Sequence, residues 1–178
     1  MMIRPFDGIS PQIASSAFID SSAVVIGDVH IGEHSSVWPT TVIRGDVNHI
    51  RIGQYSNIQD GSILHVTHAS ARNPGGSPLI VGDHNTIGHR AILHACEIGN
   101  DCLVGMGTVI MDNAVVEDFV MIGANTLVPP GKRLESGNLY LGNPCRLVRA
   151  LSDDEREYLH YSAQHYASLK DRHAAGDG

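Results

Sequence analysis

Aliphatic residues recur every six positions along most of this chain. They fall at Ile13, Ile19, Val25, Ile31, Val37 and Ile43, then at Ile52, Ile58 and Leu64, then at Val81, Ile87 and Leu93, and last at Ile98, Val104, Ile110, Val116, Ile122 and Val128. Four places after many of them stands a small or β-branched residue, among them Ala23, Ser35, Thr41, Ser56, Ala91, Cys102 and Thr108. Glycine often follows the aliphatic residue directly, as at Gly53, Gly82, Gly88 and Gly99, where a close backbone approach or positive φ would exclude a larger side chain. A period of six fits neither a helix at 3.6 nor a plain strand at 2, but it fits hexapeptide repeats folded as a parallel β-helix. Three hexads close one triangular coil with the aliphatic side chains inside. Counting from Ile13 to Val128 gives about six coils, a stack about 29 Å tall at ~4.8 Å per strand.

The period breaks in three places. Extra residues enter around Val47-Asn48-His49 and again over Thr67 to Pro78, and one residue is missing between Leu93 and Ile98. A solenoid extrudes insertions as surface loops, so these breaks mark the working part of the coil. After Val128-Pro129-Pro130-Gly131 the pattern stops. Ser152 with Glu155 then forms a capping box, and Lys170 and Arg172 suit the far end of a helix. The expected organisation is an N-terminal segment over 1–12, a β-helix over 13–131, a connection over 132–151, a C-terminal α-helix over 152–173 and a disordered tail over 174–178.

Composition narrows the class. Of 178 residues 42% are apolar, which suits one domain, and twelve Lys plus Arg against nineteen Asp plus Glu leave a net charge of −7. That balance lacks the attraction to phosphate on which nucleic-acid binders rely. No apolar run approaches the roughly 20 residues that span a bilayer, so a cytoplasmic protein without a membrane partner is expected. The three cysteines show no CxxC spacing, and neither a disulfide framework nor a Cys-ligated metal is indicated.

Eleven histidines remain to be explained. Residues three hexads apart stack one coil above another, so counting converts positions into neighbours. Arg44, His65 and His94 each follow the aliphatic residue of their hexad and share one column. Asp60 and His89 stand two after theirs and form a second column on the preceding face. His65 and His94 are then one strand spacing apart, close enough to bind one metal ion, whereas His89 is too far along the chain to join them. A cyclic homotrimer with parallel axes would supply His89 from a partner subunit and set Asp60 against Arg44. Three imidazoles and an open position are the ligand set of a catalytic zinc site, where bound water reaches a pKa of about 7. Gln59, beside Asp60, could orient the nucleophile or a small electrophile such as CO2.

Arg44-Gly45-Asp46, Asn57-Ile58-Gln59-Asp60-Gly61, His65 and Gly88-His89-x4-His94 resemble the γ-class carbonic anhydrases, and most closely their bacterial YrdA-like subgroup. The resemblance extends over nearly the whole chain, including Gly105-Met106-Gly107, Leu141-Gly142-Asn143-Pro144 and the terminal helix. It implies a left-handed parallel β-helix, a homotrimer, and zinc, with iron or cobalt as substitutes, held by His65 and His94 with His89 of the partner subunit. It also implies an Arg44–Asp60 pair, Gln59 near the metal-bound water, reversible hydration of CO2 to bicarbonate, and a role for Tyr161 through likeness to the family's helix tyrosine. Where the archetype carries two glutamates, this chain has Val47 and His68. Two other functions share the prism: a hexapeptide-repeat acyltransferase, and a metal-binding protein without turnover.

Overall fold

The computed structural model describes residues 2–176. Short parallel strands, most of two or three residues, stack coil upon coil around a core of Ile, Val and Leu. One wall carries Phe18–Ile19, Ser36–Val37, Asn57–Ile58, Thr86–Ile87, Leu103–Val104, Met121–Ile122 and Asn138–Leu141, closed at its end by the antiparallel strand Arg146–Ala150. The other two walls join into a 12-stranded sheet, because Val24–Ile31 and Val42–Ile52 run through a corner and belong to both. Each hexad contributes one inward side chain. Ile43, Leu64, Leu93, Ile110 and Val128 are fully buried in one row.

The solenoid has about eight turns rather than the expected six. Two ends were hidden from the count. Met2–Arg4 pairs with Val24–Ile26 ahead of the first recognised hexad, and Leu134 and Tyr140 continue the row beyond the Pro129-Pro130-Gly131 turn. A proline turn interrupts a repeat only when it falls inside a strand, and here it falls at a corner.

The glycines after the aliphatic residues act by close approach. A Cβ on Gly82 would lie 2.6 Å from the Gly99 carbonyl oxygen and 2.5 Å from Asn100 Oδ1. Positive φ instead falls two residues later, at corner residues such as Tyr55 (φ 53°), His84 (φ 56°) and Asp101 (φ 53°).

The helix Asp153–Ala174 lies across the first wall, contacting Phe18–Ile19, Ser36–Val37, Asn57–Ile58 and Thr86–Ile87. Leu159, Ser162, Ala163 and Lys170 form its buried side. Its start is fixed twice over: Ser152 and Glu155 exchange the two capping-box bonds, and Arg149 grips the Glu155 carboxylate with two N–H groups at 2.7 and 2.8 Å. Ala174 closes the helix and Ala175 caps it, while positions 177 and 178 of the expected tail lie outside the described residues. No helix among the described residues is long and apolar enough to cross a membrane.

Two predictions follow from this packing. Leu93→Ala should lower stability by about 2–5 kcal/mol in chemical denaturation, the cost of a cavity in a close-packed row. Hydrogen bonds from Arg149 and the Ser152 backbone hold the Glu155 carboxyl down at about 2. A depressed pKa contributes stability above the unfolded value of about 4.5, and that contribution is lost as pH falls through about 2. Glu155→Gln should therefore speed amide exchange in the first helical turn at pH 7, and the difference from the parent should vanish near pH 2.

Candidate metal centre

Backbone pairing sets Arg44 beside His65 and His65 beside His94, on strands Val42–Ile52, Ile63–His65 and Ile92–His94. Leu64 and Leu93 point inward and are fully buried, so the histidines one place later must point out. The two rings lean together: His65 Nδ1 and His94 Nε2 are 3.2 Å apart.

The outer nitrogens are also held. His65 Nε2 lies 3.0 Å from Asp46 Oδ1, and His94 Nδ1 lies 2.6 Å from Asp112 Oδ1. Arg44 in turn binds the other oxygen of Asp46, and Thr67 donates to the other oxygen of Asp112. Burial pushes both carboxyls up, but the hydrogen bonds from Arg44 and His65 to Asp46, and from Thr67 and His94 to Asp112, outweigh it and leave each below its ordinary range. Both are therefore carboxylates at neutral pH, and a carboxylate only accepts. Burial, with the Arg44 charge, lowers the His65 pKa further than Asp46 restores it, which keeps that imidazole neutral.

These assignments determine what lies between the rings. If each outer nitrogen carries the proton donated to its carboxylate, the inner nitrogens of neutral imidazoles present two lone pairs to each other across 3.2 Å. A cation between them relieves that opposition. Two nitrogens bound tetrahedrally to one zinc ion at ~2.0–2.1 Å stand ~3.3 Å apart, so the pair fits such an ion. A carboxylate on the outer nitrogen is the usual support of a metal-binding histidine.

All three breaks in the period serve this site. The insertion after Gly45 bulges out of the ladder, which shifts between Gly27 and Val29, and aims Asp46 at His65. The loop closed by the Thr67–Ser77 bridge presents Thr67, and the shortened corner at Ala95 follows His94 directly. Asp112 stands outside the histidine and arginine columns that the six-residue count defines. It stands one place past Met111, which continues the Arg44–His65–His94 column one coil up, and that position was its only signal.

The other predicted residues lie elsewhere. Asp60 and His89 are stacked on the preceding corner, with His89 Nδ1 2.9 Å from Asp60 Oδ2. Within one chain Arg44 therefore pairs with Asp46 and Asp60 with His89. Gln59 is buried, its amide donating to Asn57 at 3.1 Å, and it lines a groove under the helix with Tyr158, Ser162 and Tyr166. Tyr161 is exposed on the helix surface, and His68 is exposed in its loop. Among the described residues no group of three His, Cys, Asp or Glu side chains converges on a single point.

Asp112→Asn should weaken zinc affinity by about 10–100-fold, the usual cost of losing such a support. Competition with a coloured chelator measures it, and unchanged affinity would remove Asp112 from the site.

Residues 10–45 and 95–135 match the profile of the bacterial transferase hexapeptide (six repeats) family. Protein YrdA of Escherichia coli is 54% identical over 97% of this chain and 94% of its own length. A mitochondrial γ carbonic anhydrase of Arabidopsis thaliana is 44% identical over 93% of this chain, which spans 60% of that longer protein. The crystal structure of a hexapeptide transferase family protein from Anaplasma phagocytophilum superposes with a TM-score of 0.88, at 40% identity and 96% coverage of both chains. The chain belongs to the γ-class carbonic anhydrase-like hexapeptide-repeat proteins, in their YrdA-like subgroup.

Proposed function

We propose that the chain is a metal-dependent carbonic anhydrase that interconverts CO2 and bicarbonate at sites shared between the subunits of a homotrimer. The observation that carries this reading is the pair of opposed imidazole nitrogens 3.2 Å apart, each backed by a carboxylate. Zinc, with iron or cobalt as substitutes, is the ion that such a donor set takes, and when bound it makes hydroxide available from water at neutral pH.

In this reading His89 of the partner subunit completes the ligand set, and the hydrogen bond that its Nδ1–H donates to Asp60 orients that ring. Asp46 and Asp112 keep the inner nitrogens of His65 and His94 free of protons. Arg44 holds Asp46 in place and is available to Asp60 across the interface. The Gln59 amide, fixed by Asn57, offers its remaining polar positions to a small linear substrate. Exposure of Ile63 (46%) and Ile92 (38%) beside the histidines supports the trimer, because these side chains lie on a wall that none of the described elements covers.

Metal binding without turnover is the second reading. It is favoured by the exposed Val47, an apolar residue where the family archetype places a glutamate. Stopped-flow CO2 hydration decides between them: chelation should abolish turnover and added zinc should restore it. Bound metal with no hydration would favour the second reading, and consumption of acetyl-coenzyme A would favour an acyltransferase. The shared site has its own test. His65→Ala and His89→Ala chains should each be inactive, and exchange of their subunits should restore part of the activity. Exchange without recovery would overturn the shared geometry.

A further inference from the structure

The buried side of the helix carries a hydroxyl. Ser162 lies there with Leu159 and Ala163, against the first wall of the prism. A buried hydroxyl costs stability unless it is bonded. Ser162 Oγ meets Thr86 Oγ1 at 2.9 Å, and that contact begins a chain across three elements. Thr86 and Asn57 are ladder partners, each one place before a fully buried isoleucine, so both face the helix. Asn57 Nδ2 donates to Thr86 Oγ1 at 3.0 Å and to the Asn85 carbonyl at 3.2 Å, while Asn57 Oδ1 accepts from Gln59 Nε2 at 3.1 Å. All four side chains are buried.

The chain has a direction. A backbone carbonyl only accepts, so the Asn85 oxygen obliges Asn57 to turn its NH2 toward the next coil and its Oδ1 toward Gln59. Turning the Asn57 amide over would set two carbonyl oxygens against each other at 3.2 Å. Gln59 must then present Nε2 to Asn57. Its Oε1 and its second N–H are left to the groove, whose lining includes Thr86, Ser162 and the Tyr166 phenol. Thr86 Oγ1 has two side-chain partners among the described residues, Asn57 and Ser162. The helix therefore holds Thr86, Thr86 holds the NH2 of Asn57, and Asn57 decides which end of the Gln59 amide faces outward.

We propose that Ser162 and Thr86 are positioning residues for the Gln59 amide, acting on it through Asn57. The consequence for turnover rests on the carbonic anhydrase reading, in which a small substrate then meets one hydrogen-bond donor and one acceptor in fixed places. The hold on the amide does not depend on that reading.

The test has an arm that needs no turnover. Of the four glutamines, Gln12, Gln54 and Gln164 are exposed and Gln59 is buried. In full-length protein with 15N in its glutamine side chains, the Gln59 signals are those missing from Gln59→Glu. In Ser162→Ala, and separately in the near-isosteric Thr86→Val, solvent exchange of the Gln59 amide should quicken by about fivefold, as the loss of one net hydrogen bond implies. Backbone amides of the helix should keep their parental rates, which a general loosening would not allow. Ser162→Thr, which retains the hydroxyl, should stay at the parental value, and the double variant should add little to either single change, since both cut one chain. Stopped-flow CO2 hydration by Ser162→Ala should lose about 3- to 10-fold in kcat at unchanged zinc content, the cost of a loosened rather than a missing group. Gln59 exchange unmoved in both single variants, or parental turnover in both when the parent is active, would overturn the positioning role. Quickened exchange in a protein whose parent hydrates no CO2 would support the hold and remove the carbonic anhydrase reading instead.

Discussion

The hydrogen-bond ladder between successive coils is the constraint on which both the core and the candidate centre depend. Parallel pairing of Ile63–His65 with Ile92–His94 sets Leu64 on Leu93 and His65 on His94 in one operation. A slip of one residue would turn the leucines to solvent and the histidines into the prism. The inward row resists that slip, since each aliphatic side chain in it is fully buried. Precision at the metal centre is thus inherited from the core. The rungs are ~4.8 Å apart, and the rings close the remaining distance by leaning to 3.2 Å.

Regular hexads support one of those rings, since Asp112 reaches His94 from the corner of an unbroken hexad. The support of His65 and the anchoring of Asp112 itself need more than the regular repeat. The irregular segments provide it. Asp46 stands at the start of a bulge, Thr67 at the foot of a loop, and Thr67 holds the carboxylate of Asp112 that supports His94. Of the two carboxylates beside the imidazole pair, only Asp46 meets a guanidinium among the described residues, that of Arg44. The uncompensated negative charge favours a cation at the point where the lone pairs meet.

The sequence made much of this legible, for a physical reason. A solenoid has a fixed number of residues per turn, so counting Leu64 to Leu93 past a loop reproduces spatial adjacency, which no count can do in an ordinary globular chain. The two histidine columns followed directly. What escaped the count lay off the period. Ile3 precedes the first recognisable hexad, Tyr140 follows a proline turn that looked terminal, and Asp112 reaches His94 sideways from the coil above.

Burial and protonation are linked on the uncovered wall. Its outward positions alternate Ile63 with His65 and Ile92 with His94, so any surface that dries the isoleucines also dries the edges of the imidazoles. Desolvation disfavours the charged form of histidine, and it already dominates the lowered pKa of His65 in the single chain. Covering the wall therefore selects the neutral rings, which are the forms that ligate a metal. An ion between them would in turn take up both inner nitrogens, which stand 3.2 Å apart. Association through this wall and metal capture thus favour the same protonation state, and each lowers the cost of the other.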